Sequence, residues 1–184
     1  MADSNITKKA LAAALKELMD EMPFAGITIS DICDRCDMNR KSFYYHFKDK
    51  YDLVNWIFDT EFLQKAMVSV DYETKWDAWR SLFVYFYENK NFYRKALEIS
   101  GQNSFTEHFQ EILVPIIKKK LEDLMGSSAV TDFQIYFLTD AFFCALKRWL
   151  LDKNCVPPDE VLEQLKIFIY VSADSIVNED TENQ

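Results

Sequence analysis

The sequence predicts an all-α protein of nine or so helices, with a small N-terminal domain and a larger C-terminal bundle. Only three Gly and four Pro interrupt 184 residues, which favours long helices. Hydrophobic residues make up 49% of the chain and aromatic residues 15%, enough for a dense core. Runs of alternating β-branched residues bounded by turn residues are absent, so no strand is predicted.

Two helices open the chain. Leucine and methionine residues recur every three or four positions, which predicts a helix over 7–22 with Thr7 as its N-cap. Thr28 and Asp31 then form a capping-box pattern, which marks the start of a short second helix.

A third short helix and a connector follow. A tight turn at 37–38 separates the second helix from a third, which runs from Arg40 to about His46 with Asn39 as its cap. Asp49 begins a connector helix over 50–66. Three short helices with a tight turn indicate a helix-turn-helix domain over residues 1–50.

The remaining residues, 67–184, are expected to form a regulatory and dimerisation domain of longer helices. Pro115 is expected to kink or divide one of them, and Ser100-Gly101 and Gly126 to Ser128 to end others. The predicted helices are 74–89, 91–99, 104–125, 130–152 and 158–178.

The formal net charge of −9 argues against nucleic acid as a partner, but the charges are unevenly distributed. Residues 1–55 carry eight basic and nine acidic side chains, and the rest carry thirteen and twenty-one. Met38 to Lys50 holds four basic side chains, one acidic side chain and a His. A small basic face can therefore sit on an acidic body.

Cysteine usage and hydropathy indicate a reduced, cytosolic protein. Cys33 and Cys36 form a lone CxxC inside a helical pattern, and small buried apolar side chains are the preferred interpretation over metal or redox use. No metal or cofactor is expected. No apolar run has the length of a signal peptide or of a membrane span, so no membrane association is expected.

The segment MNRKSFYYHFKDK, residues 38–50, has the composition of a DNA-reading helix. Phe43 and Phe47 lie four residues apart and can face a core, which leaves basic and aromatic side chains outside. Arg40 and Lys41 stand in the first turn, where a recognition helix reaches base edges in the major groove. Periodicity alone leaves open an ordinary amphipathic surface helix.

The stretch from Ile6 to Ile57 resembles the DNA-binding domain of the TetR family. The matching parts are the capped first helix, TISDIC at the start of the second, the run SFYYHFKDKYDLV and the connector helix. The family pattern has a small residue, Tyr and Phe as in Ser42, Tyr44 and Phe47, followed by Lys-x-Lys as in Lys48 and Lys50.

The resemblance implies binding to a roughly palindromic DNA operator and a role for each matching residue. Thr28 and Ser30 would approach the DNA from the second helix, and Arg40, Lys41 and Tyr44 would read bases. The residues that would hold phosphates are Asn39, Ser42, Tyr45, His46 and Lys50. The turn position that is usually Gly in the family is Asp37 here. Asp tolerates a left-handed backbone, but its carboxylate is unfavourable near DNA.

The last two helices are expected to form the interface of a two-fold homodimer. The helix over 130–152 is apolar around much of its circumference, which favours a partner surface. Burial at the centre of a single subunit is the alternative. The expected interface residues are Phe133, Phe137, Ala141, Phe142, Trp149, Leu162, Leu165, Phe168 and Ile169.

In this family the C-terminal helices bind an effector. Aromatic residues in the middle of the chain could line a ligand pocket, with plain core as the alternative: Trp76, Trp79, Phe83, Phe86, Phe105 and Phe109. The stretch Asn91 to Leu113 is similar to the branch of the family that activates dihydroxyacetone kinase operons. In that branch the effector can be a catalytically inactive, kinase-like co-activator protein, and the acidic body would then be a docking surface.

Two other classes of function compete with a DNA switch. A helical enzyme is disfavoured because the chain shows no nucleophile–base pair, metal-ligand spacing or phosphate loop. An interaction module without DNA binding remains possible. The sequence leaves open whether an effector would favour or disfavour DNA binding.

Overall fold

The computed structural model describes residues 2–63, 76–99 and 104–182, and the side chains of the last helix as far as residue 171. Nine α-helices and no strand occur in these ranges, which confirms the all-α class. The helices are α1 (Ala2–Glu21), α2 (Ile29–Arg35), α3 (Arg40–His46), α4 (Lys50–Phe58), α5 (Asp77–Glu88), α6 (Lys90–Leu97), α7 (Phe105–Met125), α8 (Asp132–Leu151) and α9 (Pro158–Glu182).

Helix α1 begins five residues earlier than predicted, at Ala2, so Thr7 lies inside the helix and is not its N-cap. Apolar periodicity could not reveal the first turn because residues 2–5 include no large apolar side chain. The buried face of α1 starts further along, at Leu11, and continues through Leu15. This face packs against α2 and α3, and residues 2–50 are called the head below.

The turn between α2 and α3 has the predicted form. Asp37 has a φ of 54°, the left-handed conformation that the family usually assigns to Gly. The backbone N–H of Met38 donates to the carbonyl of Cys33 at 2.9 Å, which closes the turn. Asn39 then caps α3 as expected.

Helix α4 starts at the predicted cap, where the Asp49 carboxylate accepts from the backbone N–H groups of Tyr51 and Asp52. It continues as a π-helical turn over Asp59–Leu63. The predicted connector is thus helical as far as residue 63, and 64–66 lie outside the described residues.

Pro115 does not divide α7, which runs unbroken over Phe105–Met125. Pro115 and Glu111, whose carbonyl loses its helical partner, are both exposed, so water can satisfy that carbonyl. Gly126, with a φ of 82°, ends the helix at the predicted stop. The predicted break at Ser100-Gly101 lies outside the described residues.

The aromatic residues predicted to line a pocket are packed against one another where they are fully buried. Phe86, Phe105 and Phe109 are at most 1% exposed, and their ring centroids lie 5.4 to 5.8 Å from that of Phe58. Phe83 is also buried, and its ring lies edge-on to that of Trp149. This geometry favours the alternative of plain core for these four positions.

The two tryptophans of the same set lie at the edge of the core. The indole N–H of Trp76 donates to the Tyr170 hydroxyl at 3.4 Å, and the rings of Trp79 and Phe142 have centroids 4.6 Å apart. Both are partly buried against the main apolar cluster. They tie α5 to α9 and α8.

Two of the nine expected dimer residues pack inside their own subunit, and for these the prediction needs correction. Trp149 and Leu162 are 8% and 3% exposed, whereas Phe142 and Leu165 are only partly buried against the core and stay predictions. Sequence periodicity could not separate them because α8 has two apolar faces, one buried at Ile135 and Phe143 and the other exposed.

The second face of α8 and residues 167–171 of α9 expose large apolar side chains, and these residues are together called the apolar face below. Phe133 is 77% exposed, Phe137 60% and Phe168 68%. The other members are Tyr136, Leu138, Ala141, Ile167, Ile169, Tyr170 and Val171. A monomer rarely leaves such a surface in water.

The described helices include none with the length and apolarity needed to cross a membrane. Cys33 is buried, as expected for a small apolar side chain, and the Cys36 thiol donates to the carbonyl of Ile32 at 3.3 Å. Burial raises the pKa of both thiols, so they stay protonated.

Candidate DNA-binding surface

Helix α3 separates its side chains into a buried and an exposed set, as the spacing predicts. Phe43 and Phe47 are 0% and 3% exposed, and they anchor the helix to the head. Tyr44 is 51% exposed and Tyr45 82% exposed, and Arg40 and Lys41 are exposed beside them. The helix therefore presents basic and aromatic donors to solvent on a rigid apolar base.

Asn39 and Ser42 are joined at the start of α3. The Asn39 side-chain oxygen accepts from the Ser42 backbone N–H at 2.9 Å and from the Ser42 hydroxyl at 3.3 Å. The cap uses only the oxygen, so the amide N–H groups of Asn39 remain as donors for a phosphate.

The Thr28 side chain caps the start of α2. Its hydroxyl donates to the Asp31 carboxylate at 2.7 Å and accepts from the Asp31 backbone N–H at 3.2 Å. The hydrogen bonds from the Thr28 backbone and hydroxyl lower the pKa of Asp31, so the box carries a negative charge at neutral pH. Thr28 can reach DNA only next to this charge, whereas Ser30 lies half-buried on the first turn of α2.

Arg40 is held over the Tyr44 ring, with the guanidinium carbon 6.0 Å from the ring centroid. A hydrogen bond with the Tyr44 hydroxyl, followed by the attraction of its partial charge, raises the pKa of Arg40. A cation over an aromatic ring favours this arrangement of the side chain by a modest amount at an exposed site. Arg40 and Tyr44 therefore lie together on the exposed side of α3.

The Lys50 side chain, predicted to hold a phosphate, is bound to backbone carbonyls of its own subunit. Its ammonium donates to the carbonyls of Phe24 and Ile27, both at 2.7 Å, and to that of Ala25 at 3.4 Å. Three acceptors satisfy all three N–H donors, so none is left for a phosphate in this conformation. Sequence reasoning missed this role because the acceptors are backbone groups more than twenty residues away.

The replacement Lys50→Met is expected to destabilise the head. It leaves the carbonyls of Phe24 and Ile27 without their donor, which should lower the free energy of unfolding by about 1–3 kcal/mol. The matched control is Lys48→Met, because Lys48 is exposed and its ammonium makes no hydrogen bond described in the structure. Thermal unfolding followed by circular dichroism measures both, and equal midpoints for the two variants would contradict the structural role of Lys50.

Two further basic residues of the head differ in whether they are free to bind a phosphate. Arg35 is paired with Glu21 at 2.7 Å and with Glu17 at 3.4 Å, so it joins α2 to α1. Lys48 follows α3 directly and is exposed, and sequence reasoning gave it no role of its own. Its position and exposure make it the better candidate for the phosphate contact first assigned to Lys50.

Replacing the turn residue by Asp37→Asn or Asp37→Gly is expected to tighten DNA binding. Both variants remove an exposed carboxylate beside α3, and both residues tolerate a positive φ. We expect about a two- to fivefold gain in affinity at low salt, measured by fluorescence anisotropy and shrinking as salt rises. Asp20→Asn, an exposed position on α1, is the control. No gain in either variant would mean that the carboxylate points away from DNA.

Two family regions match the chain. The family described as bacterial regulatory proteins, tetR family, matches residues 10–57, which contain the whole helix-turn-helix. A second family, described as a transcriptional regulator C-terminal region, matches residues 74–170. The second match covers more than half of the chain. The C-terminal helices therefore also match a family of transcriptional regulators.

The proteins similar to the chain include a sequence relative and two solved structures. The relative is the HTH-type dhaKLM operon transcriptional activator DhaS of Lactococcus lactis subsp. lactis (strain IL1403), 30% identical over 152 residues, which are 80% of this chain and 81% of the relative. The structure of the dihydroxyacetone kinase operon activator DhaS has a TM-score of 0.63 at 21% identity, over 91% of this chain and 96% of that one.

A TetR transcriptional regulator from Streptococcus agalactiae 2603V has a TM-score of 0.69 at 21% identity, over 89% of this chain and 93% of that one. At this level of identity the two structures support the fold, and the relative and the matched regions support the family. Together with a helix-turn-helix whose third helix exposes basic and aromatic side chains, they show that the chain belongs to the TetR family of transcriptional regulators.

Proposed function

We propose that this regulator binds double-stranded DNA by inserting α3 into the major groove. The observation that carries the proposal is the exposure of Arg40, Lys41 and Tyr44 on a helix fixed by the buried Phe43 and Phe47. Guanidinium and ammonium groups in the first turn can donate to guanine O6 and N7. Tyr45, His46 and Lys48 would donate to the flanking phosphates.

The proposed active form is a homodimer joined through the apolar face. Two copies of α8 and α9 packed about a two-fold axis would cover Phe133, Phe137 and Phe168, which are otherwise exposed. A two-fold dimer presents two copies of α3 to the DNA, so the operator should be roughly palindromic with half-sites about one helical turn apart. The bacterial chromosome is its target, so the protein would act in the cytoplasm, and the role requires no catalysis.

We propose further that the regulated genes form a dihydroxyacetone kinase operon and that the protein activates them. Support comes from the relative, an activator of such an operon, which is similar along 80% of this chain. DNA affinity would be gated from the C-terminal domain, either by a small ligand or by a co-activator protein. The close packing of Phe86, Phe105 and Phe109 favours a protein partner that docks on the acidic body.

Selection of bound fragments from the source genome tests the proposal. The purified protein is incubated with sheared genomic DNA, bound fragments are sequenced, and their affinity is measured as a function of salt. We expect a palindromic site upstream of dihydroxyacetone kinase genes, with an affinity that falls steeply as salt rises. Palindromic sites beside other genes would refute the operon alone. Failure to enrich any site would refute sequence-specific DNA binding and favour an interaction module.

A further inference from the structure

Helix α6 donates to the end of a helix in the head. The ammonium of Lys95 donates to the carbonyl of Met19 and, at 3.4 Å, to that of Met22. These carbonyls belong to the last turn of α1 and the residue after it, where the helix leaves acceptors unpaired and carries partial negative charge. Lys95 is therefore a cap for α1 that is supplied by the body of the protein.

The neighbouring residue makes the same kind of contact in another direction. The Arg94 guanidinium donates through Nε to the carbonyl of Leu150 and through Nη2 to that of Asp152, both at 2.6 Å. These carbonyls lie at the end of α8, the helix that carries Phe133 and Phe137 of the apolar face. Consecutive basic residues thus join the ends of two helices that do not follow each other in the chain.

The helix between these contacts is firmly held. Tyr93, Ala96 and Leu97 of α6 are at most 1% exposed. The Tyr93 hydroxyl is hydrogen bonded to the Tyr85 hydroxyl at 2.6 Å, which ties α6 to α5. Because α6 is tightly packed, a displacement at Lys95 also moves Arg94, and the reverse is true.

The head and α6 share one apolar core, but a cleft opens beside Lys95. A cleft of about 510 Å³ separates the start of α4 and the turn after α1 from the end of α6, and it is lined by Met22, Phe24, Tyr51, Lys95 and Ile99 among others. A second polar link, between the Lys16 ammonium and the Glu61 carboxylate at 2.5 Å, joins α1 to the π-helical turn that continues α4. Beside this cleft, Lys95 adds directional hydrogen bonds between α1 and α6 to the apolar packing and to the contact of the Lys16 ammonium with the Phe92 ring.

We propose that Arg94 and Lys95 are positioning residues that set the angle of the head relative to the dimer helices. The proposal rests on the proposed DNA-binding dimer. Two heads held at a fixed angle accept only one spacing of half-sites, because each copy of α3 must meet a major groove on the same side of the duplex. Loss of either cap frees the head, so the choice of spacing weakens while base reading by α3 is unchanged.

The test compares Lys95→Met with the wild-type protein on one series of duplexes. The operator obtained by genomic selection is synthesised with its natural spacing and with one or two base pairs added or removed, together with a duplex that holds one half-site. For Lys95→Met we expect a roughly fivefold to tenfold smaller preference for the natural spacing, and half-site affinity within about twofold of wild type. Arg94→Met is expected to flatten the spacing profile in the same way.

Controls separate positioning from a general loss of structure or charge. Lys95→Arg keeps donors for both carbonyls and should restore the preference, and Lys118→Met removes an exposed charge from α7 and should leave it unchanged. If Lys95→Met lacks the wild-type circular dichroism spectrum, the shorter and uncharged Lys95→Gln replaces it. A wild-type spacing profile in the folded variant overturns the proposal. If the wild-type protein selects no operator at all, the proposed DNA binding fails instead.

Discussion

The replacement Phe137→Glu is expected to convert the dimer to a monomer and to reduce affinity for the full operator by at least about a hundredfold. Phe137 is 60% exposed on the apolar face. In a two-fold interface the replacement adds one carboxylate from each subunit. Two buried carboxylates without partners strongly oppose association. Sedimentation velocity measures the dimer, and anisotropy titrations with the operator and with one half-site measure the DNA affinity.

The Phe137→Glu variant should lose affinity for the full operator but not for a single half-site. A monomer keeps its copy of α3, so half-site affinity is expected to remain close to wild type, because only the linkage between two binding events is lost. Ile116→Glu is the matched control, since Ile116 is an exposed apolar residue of α7, outside the apolar face. A dimeric Phe137→Glu protein, or a monomeric Ile116→Glu protein, would mean that the subunits associate through another surface.

The replacement Arg40→Ala is expected to lower affinity for the selected operator by about 1–3 kcal/mol and to relax the base preference at one position of each half-site. Arg40 stands in the first turn of α3, exposed and held over Tyr44, so its guanidinium is the best placed bidentate donor to a guanine. Titration against operators substituted one base pair at a time measures the change in preference.

Lys48→Met provides the comparison for Arg40→Ala. A phosphate contact carries no sequence information, so this variant should weaken binding to every duplex by a similar factor and reduce the salt dependence by about one counterion. If Arg40→Ala also weakens all substituted operators equally, Arg40 contacts the backbone and not a base. If Lys48→Met changes base preference, the two roles are reversed.

Local chemistry explains why much of the head could be predicted. The Thr28–Asp31 box, the Asn39 cap and the left-handed Asp37 depend on residues within four positions of each other, and all three appear as expected. The division of α3 into a buried and an exposed set follows from the spacing of Phe43 and Phe47. Caps, turns and helical spacing are short-range features that a sequence displays directly.

The predictions that failed concern side chains whose partners are distant in the sequence. Lys50 was expected at a phosphate because its sequence neighbours suggest it, but its partners are carbonyls of a distant turn. Trp149 and Leu162 were expected at the dimer interface, but they pack inside the subunit because α8 has apolar residues on two faces. The hydrophobic pattern shows that α8 has two apolar faces. It does not show which face packs inside the subunit, because that depends on the whole fold.

Methylation protection of guanine N7 on the selected operator tests the central claim most directly, because N7 lies in the major groove. With the wild-type protein we predict two protected patches related by two-fold symmetry and about 10 base pairs apart. The guanines nearest the first turn of α3 should lose protection with Arg40→Ala, which removes an exposed donor. Protection that is absent, or unaffected by Arg40→Ala, would contradict reading of the major groove by Arg40.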